Sequence, residues 1–379
     1  MEEDEESKDQ IKEISQSLQS VRLKDVPAKV PLPAHMYTKP IDVATPHHFG
    51  APTGAGKVGP NYDPLPWSDF FDRKELILDG RIPIYIAGNQ GHVFLCLHGA
   101  GHSALSFAAL AKQMKAQSTI VTFDFRGHGE HYCENETDLS VETLVSEAIL
   151  VFAAIAGMYP EASIILVGHS MGGSIATKTS QKILNDHRGD EWHKQLQGLF
   201  VIDVVEGSAM DALPFMENIV MSRPQHFKSL QSVVQYGIKS GTVKDLESAR
   251  VSMPPQVVRK IDAPTGLEKF VWRTDLLATK PYWEGWFKGL TQDFLNTRVP
   301  KQLLLAGSDR MDKELTIAQM QGKFKLVVLD QVGHVIHEDQ PKKVAQVFQD
   351  FVVHFKIPAK YNQQMVVTSV SGKQVVISH

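Results

Sequence analysis

The stretch Ser163-Ile-Ile-Leu-Val-Gly-His-Ser-Met-Gly-Gly173 decides the fold. Its apolar, β-branched run Ile164–Val167 predicts a buried strand, and residues 174–184 favour a helix. Between them lies G-x-S-x-G, the pattern that lifts a serine out of a tight strand-to-helix turn so that its hydroxyl projects clear of the sheet. The glycines on either side remove side chains that would collide there. We therefore predict that Ser170 is a nucleophile and that the following helix directs its N–H groups at the reacting carbonyl.

The composition limits the partners and the compartment. A net charge of −4 over 379 residues provides no basic field to attract nucleic acid. The acidic start Met1–Glu6 is unlike a signal peptide, and the longest apolar run, Ile149–Met158, has about ten residues and is too short to span a bilayer. Cys96 in an apolar strand and Cys133 in a polar loop indicate a reducing compartment. We expect a cytoplasmic monomer, with the nucleus open as a second compartment, that binds neither membrane nor nucleic acid.

The order of the predicted elements indicates the fold class. Apolar strands alternate with helices from Trp67 onward, which predicts a mostly parallel central sheet with helices on both faces. From about Ser208 to Arg298 the pattern turns helical and irregular, without a buried-strand signal. We therefore predict the α/β-hydrolase fold, with a helical cap inserted after the sixth strand over the edge of the sheet where such folds place their sites. The predicted domains are a mobile N-terminal extension at 1–40, a core at 41–207 and 299–357, a cap at 208–298 and a C-terminal tail at 358–379.

A serine nucleophile needs a base to take its proton. The chain has 16 histidines, and His334 follows the last predicted strand, where the order Ser…Asp…His would place the base. His337 is its nearest rival and is otherwise interpreted as a hydrogen-bonded turn residue. A metal site built on this histidine pair is not indicated, because no third ligand has a recognisable spacing. We predict His334 as the base and no metal.

Two aspartates compete to orient that histidine. Asp309 follows the strand at Leu303–Leu305, which is the usual position in this fold, but its neighbour Arg310 also allows a surface ion pair. Asp203 ends the next strand, which comes after the helix that follows Ser170. It lies in an apolar run, where a lone carboxylate needs a strong partner to remain charged. From the residues alone, both aspartates stay open.

The segment His98-Gly-Ala-Gly101 resembles the HGGG-type loop that follows the third strand of such folds. We predict that the N–H groups of Ala100 and Met171 form the oxyanion hole. Removal of one such donor typically costs about 3 kcal/mol of transition-state stabilisation. The segment Asp124–Gly129 is predicted to brace this loop.

Seven blocks of sequence together carry a more specific signal. They are His98–Ser106, Gly168–Gly173, Ile202–Leu213, Glu247–Met253, Tyr282–Phe287, Ala318–Lys323 and Gly333–His334. The runs Asp-Val-Val-Glu-Gly and Tyr-Trp-x-Gly-Trp-Phe within them are far more specific than G-x-S-x-G. With these blocks the chain resembles the protein phosphatase methylesterase family from about residue 33 to residue 355.

The resemblance implies a serine carboxylesterase that hydrolyses the methyl ester on the C-terminal leucine of the protein phosphatase 2A catalytic subunit, without a cofactor. It implies a triad of Ser170, Asp203 and His334, which favours Asp203 over Asp309, and a triad poorly aligned until the phosphatase docks. Many relatives carry a long acidic insert in the cap, whereas Lys260–Leu267 is short here, so contacts made by that insert are not expected. Two alternatives stay open: a general carboxylesterase or lipase, and a phosphatase-binding regulator on a hydrolase scaffold.

Overall fold

A central sheet of eight strands organises the protein. The computed structural model describes residues 59–78, 80–261, 266–307 and 311–359, and the backbone of 365–368 and 374–377. The strands are β1 Arg73–Ile77, β2 Ile82–Ala87, β3 Val93–Leu97, β4 Thr119–Phe123, β5 Ile164–His169, β6 Leu196–Ile202, β7 Val257–Ile261, β8 Glu268–Trp272, β9 Lys301–Leu305, β10 Lys325–Val328, β11 Met365–Thr368 and β12 Gln374–Ile377. The order in the central sheet is β1-β2-β4-β3-β5-β6-β9-β10. Strand β2 runs antiparallel to both its neighbours, and the other pairs are parallel, as the sequence predicted.

Helices connect these strands. In the part of the chain that the structure describes, the α-helices are α1 Ala108–Met114, α2 Val141–Met158, α3 Met171–Asp186, α4 Glu206–Met221, α5 Leu230–Lys239, α6 Leu246–Ser252, α7 Trp283–Phe287, α8 Leu290–Asn296, α9 Lys313–Met320, α10 Ile336–Asp339 and α11 Pro341–His354. The connections from parallel strand to parallel strand pass through helices, as such sheets require.

Different helices cover the two faces of the sheet because side chains alternate along each strand. In β5, Ile164 and Leu166 belong to the cluster that also holds residues of α2 and α3. The intervening Ile165 and Val167 belong to the cluster formed with α1 and α11. The strand is buried on both faces, which explains why it reads as a continuous apolar run.

Helix α2 is long and apolar enough, by length and composition, to cross a membrane. The apolar run Ile149–Met158, which by itself is too short to span a bilayer, forms the C-terminal part of this helix. Its residues Leu144, Phe152 and Ile155 are buried in the cluster under the sheet. The hydroxyl of Ser140 caps its first turn by accepting the N–H of Thr143. Its apolar side is thus used in packing against the core.

The segment between β6 and β9 contains helices α4 to α8 and the antiparallel pair β7–β8. The hairpin differs from the helical and irregular structure that the sequence predicted there. Residues 259–261 of β7 are exposed, so no buried run marks this strand in the sequence. Phe227, Val233 and Met253 give this segment a small core of its own, to which Val335 is joined.

Several sequence predictions fall on residues that the structure does not describe. They concern the N-terminal extension at 1–40, the first part of the core at 41–58, residues 262–265 of the short cap segment, and Asp309. In the predicted tail, β11 and β12 pair antiparallel with each other. The boundaries of core, cap and tail stay predictions.

Candidate active site

Ser170 lies on the sharp turn between β5 and α3. Its backbone has φ 53° and ψ −125°, a region that costs a residue with a side chain of order 1–3 kcal/mol. A Cβ on Gly168 would collide with the carbonyl of Gly172, and a Cβ on Gly172 would collide with that of Leu97. Both glycines are therefore required by the close approach of backbone that lifts the serine out of the sheet.

A buried carboxylate orients the imidazole of His334. The Nδ1 atom of His334 lies 2.7 Å from Oδ2 of Asp203, whose side chain is fully buried. The other oxygen of Asp203, Oδ1, accepts the N–H of Ala306 at 2.9 Å. Because the carboxylate accepts from Nδ1–H, Nε2 is left unprotonated and can act as a base. The His334 side chain is 49% exposed, so this pair opens toward solvent.

The nucleophile and the base are not yet joined. Within the described residues, the Ser170 hydroxyl makes no hydrogen bond, to His334 or to any other group. The adjoining His169 donates Nε2–H to the backbone carbonyl of His334 at 2.9 Å, which ties the loop carrying the base to the strand carrying the nucleophile. The hydroxyl and the imidazole have to form this contact when substrate binds, since such catalytic hydrogen bonds often tighten only in the substrate complex.

Among the described residues, two backbone N–H groups next to the Ser170 turn have no hydrogen-bond acceptor. Among the described hydrogen bonds, neither the N–H of Ala100 nor that of Met171 has an acceptor. A Cβ placed on Gly99 would lie 3.2 Å from Cβ of Ser170, so this loop packs directly against the nucleophile. Free donors are what an oxyanion hole needs, and the assignment of Ala100 and Met171 to it stays a prediction.

Buried histidines hold this loop in place, and sequence reasoning had not identified them. Nε2 of His128 accepts the N–H of Gly101 at 2.9 Å, while its Nδ1–H donates to the carbonyl of Arg126. Nε2 of His98 accepts the N–H of Phe125 at 3.0 Å. Burial lowers the pKa of His98 well below its ordinary value and that of His128 to about 4. Each ring stays neutral because a protonated Nε2 could no longer accept.

The same segment supplies a buried carboxylate. Asp124 accepts the N–H groups of Ala104 at 2.7 Å and Glu130 at 2.9 Å, and so joins the loop after β3 to the loop after β4. This is the bracing role predicted for Asp124–Gly129. Burial raises the pKa of Asp124 to about 6.

His337 is not part of the orienting pair. It is fully buried and stacks on Phe107 with ring centroids 4.5 Å apart. Neither of its ring nitrogens has a hydrogen-bond partner among the described residues, and burial lowers its pKa well below the ordinary value. A neutral histidine enclosed in this way cannot reach a substrate, whereas His334 can.

The neutral state of His128 predicts a loss of stability in acid. An unfolded histidine has a pKa of about 6.5, so between that pH and about 4 the unfolded chain binds the additional proton. His128→Gln keeps an acceptor for Gly101 but does not titrate. We expect the unfolding free energy of the unmodified protein to fall by up to about 3 kcal/mol relative to this variant from pH 7 to pH 4, measured by urea denaturation.

Subtracting one curve of unfolding free energy against pH from the other cancels the contributions of groups that titrate in both proteins. One of these is Asp124, whose raised pKa makes the folded state more stable in acid. The exposed His354, replaced by glutamine, controls for loss of a surface imidazole. Parallel curves for the unmodified protein and His128→Gln would contradict the interpretation.

Comparison with known proteins fits this geometry. Residues 94–347 match the model of the alpha/beta hydrolase family. Solved structures of similar fold include E-2-(acetamidomethylene)succinate hydrolase, with TM-score 0.58 and 18% identity over 74% of this chain and 99% of that chain. The thioesterase domain from the curacin biosynthetic pathway gives TM-score 0.54 and 21% identity over 73% of this chain and 98% of that chain. The fold and the serine elbow thus define an α/β hydrolase.

Closer relatives specify the family. Protein phosphatase methylesterase 1 of Bos taurus is 39% identical over 85% of this chain and 96% of the relative. The probable protein phosphatase methylesterase 1 of Caenorhabditis elegans is 42% identical over 77% of this chain and 78% of the relative. The chain belongs to the protein phosphatase methylesterase family, and it is a carboxylic ester hydrolase with methylesterase function.

Proposed function

We propose that the protein hydrolyses the methyl ester on the C-terminal leucine of the protein phosphatase 2A catalytic subunit. The observation that carries the chemistry is the 2.7 Å contact between His334 and the buried Asp203, beside a serine held on a strained turn. The relatives' name, protein phosphatase methylesterase, supports the substrate class.

Acylation uses groups that lie at the edge of the sheet. Ser170 Oγ attacks the ester carbonyl while Nε2 of His334 takes its proton. The carbonyl oxygen becomes negative and accepts hydrogen bonds from the N–H groups of Ala100 and Met171. The bond to the methoxy oxygen then breaks, and the imidazolium returns the proton so that methanol leaves. Asp203 stabilises the imidazolium and holds its tautomer throughout.

Deacylation repeats these steps with water. His334 takes a proton from water, whose oxygen attacks the acyl carbon, and the proton passes to Ser170 Oγ as that bond breaks. The product is the free carboxylate of the terminal residue. Each bond change uses side chains of this protein and water, so we propose that the reaction requires no cofactor.

We infer that docking of the phosphatase completes the catalytic arrangement. The Ser170 hydroxyl makes no hydrogen bond to His334 among the described residues, and the imidazole is half exposed. Binding energy from the protein partner can order this contact, so that specificity comes from induced fit. A small ester offers little such energy.

The test compares two substrates that share the same bond. We expect kcat/KM for methyl release from the methylated phosphatase catalytic subunit to exceed that for N-acetyl-leucine methyl ester by at least about 100-fold. Methanol is measured for both. Comparable values would instead favour a general carboxylesterase, and binding of the phosphatase without any methyl release would favour a regulator.

A further inference from the structure

A cavity adjoins the loop that follows β3 and carries Ala100. It has a volume of ≈ 80 Å³ and lies between the loop Ala100–His102 and the cap residues Arg223, Tyr236 and Trp272. A Cβ placed on Gly101 would lie 3.7 Å from Nη1 of Arg223, so the guanidinium reaches the loop itself. The cavity therefore places a cation next to the reaction centre.

Among the described residues, Arg223 has no carboxylate partner for its charge. Its Nε is buried and makes no hydrogen bond, and it forms no ion pair with any described residue. Arg126 and Arg273, by contrast, pair with Glu147 and Glu136. A partly buried guanidinium without an anion is costly, which points to a ligand that the described residues do not supply.

An aromatic ring holds this guanidinium in a fixed plane. Its Cζ lies 3.6 Å from the centroid of the Trp272 ring. The indole Nε1–H donates to the carbonyl of Pro224 at 2.8 Å, and Phe227 packs against the ring edge-on. Burial lowers the pKa of Arg223 to about 10, so it remains charged at neutral pH. Its donors are thus oriented in advance, which is suited to a planar acceptor.

The cavity is distinct from the position of the reacting carbon. That carbon has to contact Ser170 and face the N–H groups of Ala100 and Met171. Ala100 also lines the cavity and so separates it from the reaction centre, but Ser170, Met171 and His334 do not line it. The ligand of Arg223 is therefore a second group of the substrate. No described lining residue carries a carboxylate, so nothing in the wall competes for the guanidinium.

We propose that this cavity is a subsite for a carboxylate side chain on the substrate tail, bound by Arg223 within a few residues of the methyl ester. A carboxylate matches the guanidinium in shape and charge and can accept two parallel hydrogen bonds. The inference rests on the proposed function, because it assumes a peptide tail as the acyl part. It adds a specificity-determining residue that recognises an acidic tail.

The test uses methylated phosphatase catalytic subunits that carry either Asp or Asn at one of the three positions before the terminal leucine. For the unmodified enzyme we expect kcat/KM for methyl release to be about 10- to 100-fold higher with Asp at one position. In Arg223→Met this Asp/Asn ratio falls to about 1, and in Arg223→Lys it is intermediate. A purely structural role would lower both rates and leave the ratio unchanged.

The control is Arg259→Met, at an exposed arginine paired with Glu268 on the β7–β8 hairpin, which should keep the unmodified ratio. Ratios near 1 at all three positions for the unmodified enzyme, or a ratio that survives in Arg223→Met, would overturn the subsite while leaving the methylesterase proposal intact. Absence of methyl release from every tail would overturn both.

Discussion

Replacing Asp203 by asparagine is expected to lower kcat for methyl release by about 10⁴-fold, with little change in fold. The reason lies in how the two carboxylate oxygens are used. Oδ1 accepts the N–H of Ala306, so an amide would keep its oxygen there and turn its NH₂ toward His334. The imidazole would then have to accept at Nδ1 and carry its proton on Nε2, which is the wrong tautomer for a base.

Kinetics and spectroscopy can test this separately. Methyl release from the methylated phosphatase gives kcat, and ¹⁵N NMR of the imidazole reports which nitrogen of His334 carries the proton. Asp350→Asn, an exposed change on α11, serves as the matched control and should behave as the unmodified enzyme. Turnover of Asp203→Asn within tenfold of the unmodified enzyme would show that another carboxylate orients His334.

The strand-to-helix turn that carries Ser170 could be predicted because the residues that specify it are adjacent in the sequence. Two glycines flanking a serine, after an apolar strand, specify a backbone that few other turns adopt. The aspartate that orients His334 could not be predicted from local sequence in this way. Asp203 and Asp309 both follow strands that end at the same edge of a parallel sheet, so residue pattern alone could not separate them. The resemblance favoured Asp203, and the structure places it against His334, while Asp309 lies outside the described residues.

Interactions that depend on how two loops meet could not be predicted. His128 accepts from Gly101 because the loops after β3 and β4 meet at adjacent strand ends, and no spacing within either loop encodes that contact. The environment of Arg223 is similar, since the described elements that surround it are distant in the chain and bring no carboxylate to it. The β7–β8 hairpin was missed because exposed strands lack the buried run that marked the central sheet.

Specificity and chemistry are carried by different parts of the molecule. The nucleophile, its base and the oxyanion donors come from the ends of sheet strands, which are fixed by packing on both faces. Arg223 and Trp272 come from the inserted segment, which has its own small core. A partner that contacts the inserted segment can therefore change alignment at the site without unfolding the sheet, which is the physical requirement for activation by docking.

Replacing Ser170 by alanine or by glycine is expected to reduce methyl release by about 10⁶-fold, because either change removes the attacking oxygen. The two variants should differ in stability. Alanine keeps the Cβ at φ 53°, whereas glycine adopts this region without strain. Relief of strain outweighs the additional entropy of an unfolded glycine. The free energy of unfolding of Ser170→Gly should therefore be about 1 kcal/mol higher than that of Ser170→Ala.

Urea denaturation of both variants measures this difference, and methanol release measures the activity. Ser240, whose φ is −76°, provides the matched pair: there glycine relieves no strain, so Ser240→Gly should be no more stable than Ser240→Ala. If Ser170→Gly proved less stable than Ser170→Ala, the turn would not store strain. If either Ser170 variant retained turnover, the nucleophile would lie elsewhere. The two measurements together separate the backbone cost of presenting the hydroxyl from the chemistry that the hydroxyl performs.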